Sequence, residues 1–135
     1  MNDDKAYKAA VRILTASDKT EAELTERLTG KGFTREEAES AVGRLVSLGF
    51  LNEKLHAERT VMRLFSAHYG RLYIEAYLEN RGFGAEAREC AAELMSTLDF
   101  DRAAAEYARA LKKDGKTPAQ IVSALQRRGY ETGIE

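Results

Sequence analysis

One cysteine, one proline and no tryptophan occur among the 135 residues. Cys90 alone cannot form an internal disulfide, and such sparing use of cysteine fits a reducing cytoplasm. No apolar run approaches the ~18 residues that a membrane span requires. The opening Met1-Asn2-Asp3-Asp4-Lys5 is too polar for a secretory signal, so a cytoplasmic protein without a membrane anchor is expected. β-Branched runs are few, which argues against a sheet-rich fold. Charge of one sign is also missing: the net charge is −1, so the chain as a whole is not a polycation that coats nucleic acid. What remains is 44% apolar and 32% charged, enough to bury a core and unlike a disordered chain.

Internal repetition organises that material. Leu24-x-x-x-Leu28-x-x-x-Gly32-Phe33 recurs as Ile74-x-x-x-Leu78-x-x-x-Gly82-Phe83 and again as Ile121-x-x-x-Leu125-x-x-x-Gly129-Tyr130. The first two copies stay in register further on, pairing Glu36 with Glu86, Ala41 with Ala91, Leu48 with Leu98 and Phe50 with Phe100. Repetition at this scale marks a tandem array. Apolar residues four apart share one helix face, and a glycine four positions later suits a left-handed C-terminal cap. Thr20 to Glu23 and Thr34 to Glu37 have the form of a capping box, and Thr117-Pro118 places proline at a first helical position. Asn52 and Asp101 are the expected caps of the helices that open the second and third copies.

The expected fold is all-α, an elongated tandem array of three-helix modules with eight helices and an incomplete third module. Module 1 spans 1–51 (helices near 4–16, 21–31 and 35–48) and module 2 spans 52–100 (53–67, 71–81 and 85–97). Module 3, 101–135, has only two helices, near 102–114 and 118–128. The apolar face around Ile121 and Leu125 then lacks a covering third helix, so it either packs on the neighbouring module or is left by a truncated or frayed end. Modules this small need some packing between neighbours, through modest interfaces that permit tilting.

Reactive groups do not form constellations. His56 and His68 lack cysteine or carboxylate partners at metal-ligand spacing, so no metal site is expected. Gly115-Lys116-Thr117 resembles the end of a phosphate loop, but Ala110 stands where that loop requires glycine; a helix-to-helix turn is the better reading. Cys90 corresponds to Ser40 of the first copy, so the position does not demand a thiol. No catalytic residues, cofactor or enzyme activity are expected. Charge is more informative. Between 102 and 128, Arg102, Arg109, Lys112, Lys113, Lys116, Arg127 and Arg128 face only Glu106 and Asp114. Between 82 and 101, Arg88 stands alone against Glu86, Glu89, Glu93, Asp99 and Asp101. Such polarity suits docking on a mixed-charge protein surface or a limited phosphate contact. Tyr69, Tyr73 and Tyr77 form a stripe that could stack on bases, although packing between helices explains it better.

The repeated Leu-x-x-x-Leu-x-x-x-Gly-aromatic helix resembles the RecX family of bacterial recombination regulators. So do Ala10-Val11-Arg12-Ile13-Leu14 followed by Glu23-Leu24-x-x-x-Leu28, and the joint Gly49-Phe50-Leu51-Asn52-Glu53 with Ala57-Glu58-Arg59. Tyr69-Gly70 with Ile74, Leu78 and Gly82 is similar to the family's second-module signature. The chain departs from the pattern where Asn52-Glu53 replaces paired aspartates and Arg71 replaces a proline. The resemblance implies a modulator that binds the RecA–single-stranded-DNA filament and dampens strand exchange, ATP hydrolysis and SOS co-protease activity; a monomer is expected, with single-stranded DNA as a further candidate partner. It supplies no residue code. The candidate contacts, Arg59, Arg63, Arg71, Arg81, Arg109, Lys112, Lys113 and Lys116, rest on charge alone. Two rival readings are a helix-turn-helix DNA binder and a helical adaptor whose Gly32-Phe33 turn resembles that of ubiquitin-associated domains.

Overall fold

The computed structural model describes residues 2–132, and every regular element among them is a helix. They are α1 (Asn2–Ala16), α2 (Glu21–Gly30), α3 (Arg35–Ser47), α4 (Glu53–Ser66), α5 (Arg71–Asn80), α6 (Ala85–Met95), α7 (Phe100–Lys113) and α8 (Pro118–Arg127). All eight expected helices are present. The caps explain the boundaries: Thr20, Thr34 and Thr117 each form a complete capping box with Glu23, Glu37 and Gln120. Asn52 caps α4 by accepting from the Leu55 N–H at 3.1 Å.

One cap differs from expectation. Asp99, not Asp101, caps α7, accepting from the Arg102 N–H at 2.9 Å. Phe100 thereby becomes the first helical residue, and Asp101 sits in the first turn where its charge favours the dipole. Both aspartates suit an N-terminus; Asp99 also lets Phe100 turn inward and meet the Phe65 ring edge-on at 5.2 Å.

The helices end in the way that the repeated glycines require. Gly32, Gly82 and Gly129 have φ of +102°, +83° and +83°. After each, the aromatic N–H returns to the carbonyl five residues back: Phe33 to Leu28, Phe83 to Leu78 and Tyr130 to Leu125. Gly49 and Gly115 close α3 and α7 in the same manner, so Gly115-Lys116-Thr117 is a helix-to-helix turn. His68 takes the corresponding place after α4 with φ +64°, a left-handed position that a side chain seldom occupies.

Helix packing is concentrated within α1–α3, within α4–α6 and between α7 and α8. Two separate cores result. The first gathers Ala6, Ala10, Ile13, Leu24, Leu28, Ala38, Val42 and Leu45; the second gathers Ala57, Val61, Leu64, Ile74, Leu78, Phe83, Ala91 and Met95. Leu24 and Ile74, and Leu28 and Leu78, occupy the same station in the two cores, all essentially inaccessible. Truncating any of these to alanine should cost ~2–5 kcal/mol. α8 has no fully buried residue, and Ile121 and Leu125 are only half-covered. The side chain that anchors this end is Tyr130, 4% exposed.

Candidate docking surface

Neighbouring helix groups meet at two seams of the same design. At each, the turn that ends one repeated helix seats on the N-terminal turn of the repeated helix before it. In the first seam the Thr20 hydroxyl donates to the Arg81 carbonyl at 3.0 Å, and Gly82 lies against Ala22. In the second, the Gly70 N–H donates to the Arg128 carbonyl at 2.7 Å, and the Leu72 N–H donates to the Gly129 carbonyl at 3.1 Å. Gly70 offers α5 no side-chain cap, so these carbonyls satisfy amides that would otherwise be orphaned. Contact here is backbone on backbone: a Cβ on Gly129 would fall 2.3 Å from the Tyr73 nitrogen, and one on Gly70 would fall 2.4 Å from the Gly129 carbonyl carbon.

An arginine locks each seam. Arg81 forks onto Glu23, Nε to Oε2 at 3.1 Å and a terminal nitrogen to Oε1 at 2.7 Å, and also donates to the Asp18 carbonyl at 3.3 Å. Burial pushes the Glu23 carboxyl upward, but hydrogen bonds from Arg81 and from the Thr20 N–H outweigh it and hold the group below its ordinary value. Arg128 lies over the rings of Tyr69 and Tyr107 at 4.5 and 5.0 Å, and donates to the Tyr107 hydroxyl and the Ala67 carbonyl. Beside it, burial drives the Tyr130 hydroxyl up to about 12.

Glu53 completes the first seam. Its carboxylate accepts from the Glu21 N–H at 2.8 Å and from the Gly84 N–H, placing one anion at the N-terminal ends of α2 and α6 together. The price falls on Glu21: burial first, then the charges of Glu53 and Glu86, push its carboxyl up. Glu23, Glu53 and Arg128 were missed as seam residues by sequence reasoning. A signal was present for the arginine, because Arg81-Gly82 and Arg128-Gly129 match whereas the first copy reads Lys31-Gly32. Their partners in space carry no such signature.

The structure sorts the eight basic candidates by what holds them. Arg81 is engaged in the seam, its side chain 23% exposed. Arg71, at the other end of α5, pairs with Glu75 at 2.9 Å. Arg63 donates to the Tyr77 hydroxyl at 3.3 Å from the outer face of α4. Arg59 lies one turn earlier on that helix and is exposed; Arg109, Lys112, Lys113 and Lys116 are exposed along the last turns of α7 and the loop after it. Among the described residues, none of these five has an ion pair or side-chain hydrogen bond. Lys112 and Lys113 also complement the C-terminal end of the α7 dipole. The tyrosine stripe is taken up internally: Tyr69 stacks on Tyr73 at 4.2 Å, Tyr73 on Tyr77 at 6.3 Å, and all three pack on the second core.

Among the described residues, no group of His, Cys, Asp and Glu could hold a metal ion, and no helix is long and apolar enough to cross a membrane. Cys90 is half-buried on α6. The surface presents exposed basic groups on a helical frame.

Comparison with known proteins converges on one family. The family model for RecX, first three-helix domain, matches residues 6–45. The chain is 30% identical over 140 residues to the Regulatory protein RecX of Trichlorobacter lovleyi, covering 95% of this chain and 89% of that one. Against the Regulatory protein RecX of Thermus thermophilus it is 29% identical over 130 residues, covering 96% and 87%. The crystal structure of RecX from Lactobacillus salivarius superposes with a TM-score of 0.83 at 19% identity, over 98% of this chain and 90% of that one, and so shares the fold. On the strength of the repeated helix, the matched first domain and the near full-length relatives, the chain belongs to the RecX family of regulatory proteins.

Proposed function

We propose that this protein docks on the RecA–single-stranded-DNA filament and lowers its recombinase, ATPase and SOS co-protease activities by binding rather than by catalysis. The observation that carries the reading is the pair of matched seams. They join successive helix groups through backbone contacts and a locked arginine, leaving Arg59, Arg109, Lys112, Lys113 and Lys116 outside the molecule's own ion pairs. A frame of this kind reaches across more than one protein subunit without any reactive group. Modules 1–51, 52–100 and 101–135 are the proposed docking units, and the third carries the contact to single-stranded DNA through its unpaired bases. Mechanistically this is differential binding: a ligand that prefers filament ends or states unable to extend shifts the filament toward them.

Titration of the protein into a single-strand-dependent RecA ATPase assay tests the proposal. Turnover falls at substoichiometric protein, because one docked molecule stops many subunits from adding. Unchanged turnover together with no co-sedimentation with filaments overturns it. Tight, steeply salt-dependent binding to bare duplex DNA would instead favour a helix-turn-helix DNA binder.

A further inference from the structure

The first core leaves part of its own apolar surface uncovered. Ala6, Ala10 and Ile13 of α1 are buried, yet the next strip round the helix, Tyr7, Val11 and Leu14, lines an open groove of about 950 Å³. Phe50, just past the end of α3, forms its other wall and is 67% exposed. The second helix group handles the same position differently. Phe100, the counterpart of Phe50, meets Phe65 edge-on at 5.2 Å and is half-buried, and Leu98 is half-buried where Leu48 is 54% exposed. A repeated aromatic is therefore packed in one copy and left open in the other. A loose surface residue does not account for the groove, because α1 supplies a continuous stripe at helical spacing to face it.

Charge identifies the occupant. Lys8 and Arg12 stand on the lining and no acid does. The nearest carboxylate on the preceding turn, Asp4, is directed to Arg44 at 3.9 Å, and that guanidinium in turn covers the outer face of Tyr7 at 4.0 Å. This chain's own acidic stretch cannot fill the groove from a second copy, since the apolar side of α6 (Ala87, Ala91 and Met95) is committed to the second core. We propose that the groove between α1 and Phe50 binds a helical segment of another protein, one with an apolar face and acidic flanks. Its apolar side chains would lie between Val11, Leu14 and Phe50, with its carboxylates at Lys8 and Arg12. This inference stands apart from the recombinase reading, and neither requires the other.

Two synthetic 16-residue amphipathic helices, identical in their leucine and phenylalanine face and flanked either by glutamates or by lysines, test it against the isotope-labelled full chain by NMR. The acidic peptide shifts the amides of Tyr7, Val11, Leu14 and Phe50 saturably, and the lysine twin binds at least about tenfold more weakly. Phe50→Ser lowers affinity for the acidic peptide about tenfold with the far-ultraviolet circular dichroism unchanged, because the ring is exposed. The pair Lys8→Glu and Arg12→Glu inverts the preference between the twins. Equal binding of the twins, shifts centred elsewhere, or indifference to Phe50→Ser overturns the proposal. So does a dimer in sedimentation that Phe50→Ser abolishes without peptide, since the occupant is then a second copy.

Discussion

Two glycines with the same backbone angle separate conformational strain from close approach. Gly115 and Gly129 have φ of +84° and +83°, but a Cβ on Gly115 would meet open space whereas one on Gly129 would meet the Tyr73 backbone at 2.3 Å. Gly115→Ala should therefore cost only the left-handed strain, ~1 kcal/mol. Gly129→Ala adds a clash that no rotamer relieves, so the second seam must open, at ~3 kcal/mol or more. Urea unfolding midpoints measure the difference, and limited proteolysis between α6 and α7 should accelerate for Gly129→Ala alone. Equal effects would mean that the seam contact contributes nothing to stability. A second test concerns Arg81 and Glu23, whose side chains are 23% and 29% exposed. The pair should couple by ~1 kcal/mol in a double-mutant cycle of Arg81→Ala and Glu23→Gln at neutral pH. Because the native state holds the Glu23 carboxyl below its ordinary 4.5, the unfolded chain takes up the proton first as pH falls. The coupling is thus complete above 4.5 and disappears as pH drops through the native value. A coupling that persisted in acid would exclude the carboxylate as its source.

At the scale of helices, most of the architecture is written in local chemistry. Threonine followed three residues later by glutamate or glutamine, apolar residues four apart and a turn glycine are each short-range signals, and together they fix where α2, α5 and α8 begin or end. This is why the eight expected helices agree with those observed to within two residues at every boundary. The one cap that differs is instructive. Around α7 two aspartates compete as caps, and Asp99 prevails because the choice orients Phe100 toward Phe65, a distant residue on α4. Seams are less legible for the same reason. Arg81 read as an exposed base on the pattern of its own helix; its partner Glu23 lies 58 residues away and is also occupied with the Thr20 cap. The tyrosine stripe was readable as packing because its spacing alone puts the three rings on one side of the chain. Which bases stay free is a property of tertiary pairing, so charge counts could nominate eight candidates without ranking them.

For the whole molecule, the decisive asymmetry is electrostatic. Local cations in the α7–α8 region are concentrated where the described residues supply few compensating acids, while the adjoining stretch 82–101, which includes α6, sets Glu86, Glu89, Glu93, Asp99 and Asp101 against Arg88 and offsets most of that charge. If that end contacts the filament, replacing Lys112, Lys113 and Lys116 with glutamate should reverse a local field without disturbing packing, since all three side chains are exposed and Tyr130 and Gly129 hold this end in place. Some helix stability is lost, ~0.3–1 kcal/mol for each cation removed from the last turn of α7, so thermal unfolding must be followed alongside binding. Co-sedimentation with RecA filaments should weaken by about tenfold or more at low salt, and the difference between the variant and the parent chain should shrink as salt rises and screens the field. A merely structural effect would follow the fall in melting temperature and ignore salt. Unchanged association at every salt concentration would clear these three lysines and leave Arg109 on α7, with Arg59 and Arg63 on the outer face of α4, as candidates for the route from charge to filament.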